Sequence, residues 1–200
     1  MADIIVAGNT SGAITISAPL VAGSGVLTLP TGTDTLIGKA TTDTLTNKTL
    51  GAGTVFPAGA VLQVVNATFS GQTSSSTNVF ADTGLTISIT PTSATSKVLV
   101  IVDISGCYKT TNNTMLQLRL LRNSTTILTM EGGIGYTGTT TTNAVGSSSA
   151  NYLDSPATTS ATTYKVQQAS GNNNVGAGIN FFNLSAAETN STITLMEIAG

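Results

Sequence analysis

The sequence lacks histidine and tryptophan, contains one cysteine, and carries charge on only 8% of its 200 residues. Without histidine, Ser-His and Cys-His nucleophiles and His-ligated metals are excluded, which removes most hydrolase mechanisms. The lone Cys107 excludes an intramolecular disulfide and a cysteine-based zinc site. We interpret it as a small buried hydrophobe at a strand end rather than as a nucleophile. The sequence therefore predicts a protein that is not an enzyme and that needs no cofactor or metal.

The few charges also bear on binding partners. Seven Lys and Arg residues against nine Asp and Glu give a net charge of −2, and the basic residues are scattered, so no footprint for nucleic acid is present. No stretch approaches the length of a membrane span. The start, Met1-Ala-Asp-Ile-Ile-Val6, lacks the basic and apolar regions of a signal peptide. We expect synthesis in a cytoplasm and binding to neither nucleic acid nor membrane.

What the chain has instead of charge is a surface of hydroxyl and amide side chains. A hydrophobic fraction of 40% argues against disorder, because enough apolar surface is available to offset the entropy cost of folding. An uncharged polar surface is easily buried against other copies of the chain or against a larger assembly. This composition favours a structural role.

Residues 1–58 are predicted to form an extended or β-structured arm. Two short strand patterns, Ala13–Ser17 and Val26–Leu29, are followed by Pro19 and Pro30. Residues 40–54 contain too few large apolar side chains for a core of their own. We expect the arm to become ordered by lying on a partner or on sister chains.

Residues 59–200 are predicted to form a second domain that consists of β-strands. Alternating patterns and turn residues recur at the spacing of an all-β sandwich, and no window has a helical period. About eight strands in ~140 residues predict a jelly-roll-like antiparallel β-sandwich, with a hairpin turn at Asn123-Ser124. The predicted strands are Val61–Phe69, Leu85–Ile89, Lys97–Ile104, Met115–Leu121, Thr126–Met130, Thr163–Gln167, Gly176–Phe182 and Ser191–Ile198.

The strand Lys97–Ile104 is apolar on both faces, so it is either central or covered by a neighbouring subunit. We predict a subunit interface there that includes Val98, Val100, Val102 and Asp103. Asp103 interrupts the apolar run, and burying a lone carboxylate is costly unless it is paired. The prediction is an ion pair inside the sandwich or across a subunit interface, with a metal-binding or catalytic carboxylate as the alternative.

Two polar segments, residues 73–77 and 137–150, are predicted to be rim loops, where binding specificity commonly lies. Tyr136 and Tyr152 are the nearest aromatic residues and either stack on a sugar ring of a receptor or pack locally. Residues 133–138 match a GxGxxG pattern. The β-branched residues after them disfavour the helix that a dinucleotide site needs, so a loop is predicted.

Three stretches resemble virion proteins of bacteriophages, in particular the fibre-like and capsid-decorating proteins of phages that infect cyanobacteria and marine bacteria. The first is Ile14-Thr-Ile-Ser-Ala-Pro19 with Gly25-Val-Leu-Thr-Leu-Pro30, and the most specific is Asp43-Thr-Leu-Thr-Asn-Lys-Thr-Leu50. The third is Pro57–Val65, which is followed by Asp82-Thr-Gly-Leu-Thr86 and by Ile89–Val98; residues 154–164 are also similar.

This resemblance implies a homotrimeric virion component that is made in the host cytoplasm, and it implies no catalytic residue. The arm would bind other virion proteins such as the major capsid protein, while the sandwich projects outward. A capsid decoration or cement protein is the first expectation. The alternative is a short tail or head fibre that recognises a host surface glycan. The predicted anchoring residues are Ile14, Ile16, Leu27, Leu29, Leu45, Asn47 and Leu50.

Overall fold

The computed structural model describes residues 54–139, 142–172, 176–181 and 189–200, together with the backbone of residues 3–7 and 13–17. By its internal contacts the chain divides into two units, Met1–Gly51 and Ala52–Gly200, whereas the sequence predicts a boundary after residue 58.

In the first unit, β1 (Asp3–Ala7) and β2 (Ala13–Ser17) form an antiparallel pair. The predicted strand Ala13–Ser17 is therefore confirmed, and Ile14 and Ile16 lie in it opposite Val6 and Ile4. The other predicted anchoring residues and the predicted strand Val26–Leu29 lie outside the described residues.

The second unit is all-β, and its described residues contain no helix. Antiparallel pairing connects all of its strands. The strands are β3 (Val61–Phe69), β4 (Thr73–Ser75), β5 (Ala81–Ile89), β6 (Lys97–Lys109), β7 (Thr114–Arg122), β8 (Thr125–Thr137), β9 (Asn143–Asp154), β10 (Thr162–Gly171), β11 (Ala177–Ile179) and β12 (Ser191–Ile198).

These strands form two sheets. The smaller sheet has four strands in the order β5-β10-β7-β8. The larger sheet has six, with β3, β12, β6 and β9 side by side along most of its length and the short β11 and β4 continuing beside the far end of β6. The two sheets enclose one core, which confirms the predicted antiparallel β-sandwich. The eight long strands are not the eight predicted ones, because they include β9, and the predicted strand Gly176–Phe182 contains only the three-residue β11 within the described residues.

The core follows from strand alternation, because every second side chain points to the same face of a sheet. Val98, Val100, Val102 and Ile104 of β6 are fully buried in a cluster that also contains alternate leucines of β7. Burying each such side chain contributes roughly 1.5–3 kcal/mol. The prediction that Val98, Val100 and Val102 lie at a subunit interface is therefore wrong, since the chain's own core covers them.

The predicted loop at residues 137–150 is also wrong, because β9 begins at Asn143 and pairs with β6. Its serines, glycine and asparagines have low strand propensity, so the sequence pattern concealed a strand that tertiary pairing stabilises. At Gly146 the backbone has φ +106, opposite Cys107, where the register shifts. The GxGxxG segment is mostly strand as well, since β8 extends to Thr137, and Thr73–Ser75 forms β4.

Candidate functional site: the outer face of the larger sheet

The outer face of the larger sheet carries a continuous strip of large apolar side chains. Pairing registers place Val64 beside Met196, Met196 beside Leu99, and Leu99 beside Leu153. Val64 and Leu153 are 53% and 51% exposed, and the two central side chains are half-buried. Since directly paired residues lie ~5 Å apart, these four form one surface strip across four strands, which we call the apolar row.

Polarity increases along the strands away from the apolar row. The next set of paired residues, the mixed row, consists of Asn66, Thr194, Ile101 and Asn151. The set after that, the polar row, consists of Thr68, Thr192, Asp103 and Ser149. Within the mixed row, Asn66 donates a 2.8 Å hydrogen bond to the hydroxyl of Thr194.

Asp103 is exposed on this outer face. The predicted ion pair inside the sandwich is therefore wrong, because the neighbouring Val102 and Ile104 occupy the core-facing positions and turn the carboxylate outward. Its alternative, a pair across a subunit interface, stays a prediction.

The apolar row lies at the end of the sandwich where the chain enters it. Gly59 and Ala60 are hydrogen-bonded to Ala199, each through a 2.8 Å backbone contact, and Val61 at the start of β3 is exposed. A groove of about 590 Å³ at this end is lined by Val55, Phe56 and Leu62, among others. Val55 is 92% exposed. Unsatisfied apolar surface is thus concentrated at the end that connects to the arm.

The outer face of the smaller sheet has the opposite character. Asp82 forms a 2.9 Å ion pair with Lys165 and accepts a 2.7 Å hydrogen bond from Gln167. Arg119 donates two hydrogen bonds to the same Gln167, of 2.9 and 2.6 Å, and its guanidinium lies 4.1 Å from the ring centre of Phe80. The hydrogen bond from Lys165 lowers the pKa of Asp82, against a smaller opposing effect of burial. These polar groups have their partners within the chain.

Under the apolar row, Glu197 projects from β12 into the interior and is fully buried. Its carboxylate accepts hydrogen bonds of 2.7 Å from both the backbone N–H and the hydroxyl of Thr92, and one of 2.6 Å from Gln63. Burial alone would raise the pKa of Glu197, but these hydrogen bonds outweigh it and lower the pKa. With its oxygens engaged in this way, the carboxylate is a structural clamp on the segment after β5.

A second buried carboxylate, Asp154 of β9, connects the two sheets. Arg122 of β7 contacts both of its oxygens at 2.8 and 2.9 Å, and the hydroxyl of Tyr164 of β10 donates a 2.6 Å hydrogen bond. Burial, and then the neighbouring Asp154, raise the pKa of Tyr164. The oxygens of Asp154 accept hydrogen bonds from a cationic and a hydroxyl donor of the same chain. This cluster therefore has a structural role, because it links the two sheets.

The two predicted receptor residues do not lie together. Tyr152 faces the core beside Val100, so its assignment to a receptor loop is wrong. Tyr136 lies near the end of β8, is 52% exposed, and donates a 3.3 Å hydrogen bond to Asn113. Its role as a receptor contact stays a prediction.

Cys107 is fully buried in the core, as predicted, but it lies within β6 rather than at a strand end, because β6 continues to Lys109. Burial, with a smaller effect of the Glu131 charge, raises the pKa of its thiol to about 11. The thiolate that would act as a nucleophile is therefore scarce at neutral pH.

Within the described ranges, no group of three or more Cys, Asp and Glu residues is placed to hold a metal ion. In the same part of the chain, no helix is long and apolar enough to cross a membrane. A scan against protein-family models finds no match, and neither does a search of curated proteins. The outer face of the larger sheet is thus the candidate site that the geometry itself supplies.

Proposed function

We propose that this protein is a non-enzymatic, homotrimeric structural component of a phage virion. Its role would be that of a capsid decoration or cement protein, docked through the arm of residues 1–58 and displaying the sandwich outward. The apolar row is the observation that supports self-association. The resemblance of the arm and of residues 57–98 to phage virion proteins supports a place in the virion.

Burial of the apolar row would provide a driving force for self-association. Apolar surface removed from water stabilises an assembly by roughly 25 cal/mol per Å², and contiguous exposed apolar patches mark interaction sites or aggregation risks. The row spans the full width of the four side-by-side strands with Val64 and Leu153 about half exposed at its ends. Because only 8% of the residues are charged, little electrostatic repulsion opposes close packing of copies.

Docking through the arm has its own support in the β1–β2 pair. Among the described strands, β1 and β2 pair only with each other. The outer edge of a β-strand offers backbone groups to another sheet wherever no further strand pairs with it. We infer that Ile14 and Ile16, with the rest of the arm, contact a virion protein such as the major capsid protein, partly by strand addition.

The experiment for the virion role is imaging of the intact particle with quantification of copy number. Hundreds of copies over the capsid would support a decoration protein. A handful at the tail would support the alternative, a fibre. Absence from purified particles would contradict both.

The alternative is a tail or head fibre that binds a host surface glycan, and the exposure of Tyr136 favours it. In a glycan-binding assay, Tyr136→Ala should abolish binding if this reading is correct, while Tyr136→Phe should retain the stacking surface and most of the affinity. A wild-type protein without measurable glycan affinity would contradict the alternative and leave the decoration role.

A further inference from the structure

We propose that copies of this chain pack through the outer faces of their larger sheets with their strands running along a common symmetry axis, all in the same direction. Apolar rows then meet apolar rows at one height. This inference rests on the proposed self-association and specifies its surface and geometry. Its occupant is a second copy of the chain.

The first argument is row-by-row complementarity in this arrangement. With a three-fold axis parallel to the strands and facing the line between β12 and β6, the β6–β9 half of one face turns toward the β3–β12 half of the next. Leu99 of one copy then lies toward Met196 of the next, and Leu153 lies toward Val64. In the mixed row, Asn151 of one copy meets Asn66 of the next, and their side-chain amides can hydrogen-bond to each other. In the polar row, Asp103 of one copy meets Thr192 of the next, whose hydroxyl can donate a hydrogen bond to the carboxylate. In the mixed row Ile101 also lies toward Thr194, so the match there is partial, whereas the apolar row and the polar row each meet a row of the same character.

The antiparallel arrangement is the competing geometry. It brings Lys97, exposed at one end of β6, over Asp103 of the other copy. It also places the apolar row of one copy over the mixed row of the other. The amides of Asn66 and Asn151 would then be buried against the apolar side chains of Val64 and Leu153. Exposed ion pairs contribute little net stability, whereas a desolvated amide without a partner is costly. The parallel arrangement is favoured on this balance.

The second argument is area. Four strands spaced ~4.8 Å apart, with about eight residues each at ~3.3 Å, give a face of roughly 20 by 25 Å. Stable interfaces bury about 800 Å² per partner. The whole face has a flat area of only roughly 500 Å², so the contact has to use its full length, and overlap at the apolar row alone is far too small.

One consequence concerns the arm. Gly59 and Ala60 pair with Ala199 at the end that carries the apolar row. In the parallel arrangement, the points where the arms join their sandwiches gather at one end of the assembly. Several arms presented together would bind a particle with the avidity of a linked multivalent ligand.

Cysteine cross-linking of the full-length protein tests the geometry. Lys97 and Asp103 face outward at opposite ends of one strand stretch, six residues or ~20 Å apart. Lys97→Cys and Asp103→Cys would be treated separately and as a mixture with a bismaleimide of about 10 Å reach. The native Cys107 should not react with the bismaleimide, because it is fully buried and its thiol has a raised pKa.

We expect each variant alone to form covalent dimers, because one reactive cysteine per chain can be linked to only one other chain, and we expect the mixture to form no additional 97-to-103 product. Products found only in the mixture would establish the antiparallel arrangement and overturn the inference. Ile198→Cys and Thr192→Cys on β12, which pair with residues 97 and 103, repeat the test if either first variant fails to assemble. A monomeric wild-type protein would overturn the proposed self-association, and this inference with it. A trimer with the wrong cross-links overturns the inference alone.

Discussion

The two sheets of the sandwich share one core, yet their outer faces differ in whether their side chains find partners within the chain. On the smaller sheet, Asp82, Lys165, Gln167 and Arg119 satisfy one another, and Arg119 also covers Phe80. On the larger sheet, the apolar row stays exposed at both ends. A face whose groups are satisfied locally is suited to water, whereas a face with a continuous apolar strip is suited to contact with another surface.

The largest expected effect comes from charging the apolar row. Val64→Asp combined with Leu153→Asp should weaken self-association at least 100-fold, or about 2.7 kcal/mol, because two carboxylates would have to be desolvated at the interface. Sedimentation at a series of concentrations measures the change. The folded monomer should lose little stability, since both side chains already contact water.

The matched control places the same substitutions on the other face. Thr86 and Thr129 are exposed on β5 and β8, and they pair with the outward-facing Lys165 and Arg119. Thr86→Asp with Thr129→Asp should leave the assembly unchanged. Equal weakening by both double variants would show that charge anywhere disrupts the protein, which would remove the distinction between the faces.

The next-largest effect should come from replacing Glu197, the buried carboxylate beneath the apolar row. Glu197→Ala leaves the two donors of Thr92 without their acceptor and removes one of the two hydrogen bonds of the Gln63 amide, which keeps its bond to the carbonyl of Thr90. We expect a loss of about 2–3 kcal/mol in the free energy of unfolding. Glu197→Gln keeps an acceptor oxygen and should cost less. Denaturant titration measures both, and an alanine variant as stable as wild type would show that the clamp is dispensable.

The same carboxylate predicts a pH dependence. Its pKa is lower in the folded protein than the ordinary value of 4.5. The contribution of the ionised form is therefore complete above that ordinary value and is lost as pH falls through the lower folded-state pKa. Wild type should lose stability relative to Glu197→Gln across this acidic window. Parallel pH profiles of the two proteins would contradict the assignment.

Smaller effects are expected on the satisfied face. Arg119→Ala removes two hydrogen bonds and the contact with Phe80, so we expect a loss of about 1 kcal/mol in stability with no change in assembly. Arg119→Lys is the control, because it keeps the charge while losing the forked geometry. Dissociation of the assembly by Arg119→Ala would show that this face also takes part in subunit contact.

The smallest effect should come from Asp82→Asn. The carboxylate is about half exposed, so its ion pair with Lys165 is screened by solvent and contributes a few tenths of a kcal/mol. Adding salt to wild type should reduce even that difference. A loss above ~1 kcal/mol that persists in high salt would indicate a cooperative network rather than a surface pair.

Sequence patterns were sufficient for the strands with clear alternation. Val61–Phe69 and Ser191–Ile198 match β3 and β12 in both bounds, and the Asn123-Ser124 turn joins β7 to β8 as predicted. β9 was missed because Ser, Gly and Asn give no strand signal, so its pairing with β6 depends on contacts distant in sequence.

The candidate site was harder to predict than the fold. A strand with apolar residues on both faces, such as Lys97–Ile104, does not reveal which face enters the core, and Val98, Val100 and Val102 were assigned to the wrong one. The apolar row depends on the registers of β3, β12, β6 and β9. Register is a tertiary property, so four residues scattered between positions 64 and 196 show no pattern in sequence.

The most direct test of the central claim is the mass of the full-length wild-type protein in solution at micromolar concentration. If sister copies cover the outer face of the larger sheet, sedimentation equilibrium should give about three times the chain mass of 20.1 kDa. That mass should return to one chain for Val64→Asp with Leu153→Asp. A wild-type protein that sediments as a single chain at these concentrations would contradict the claim.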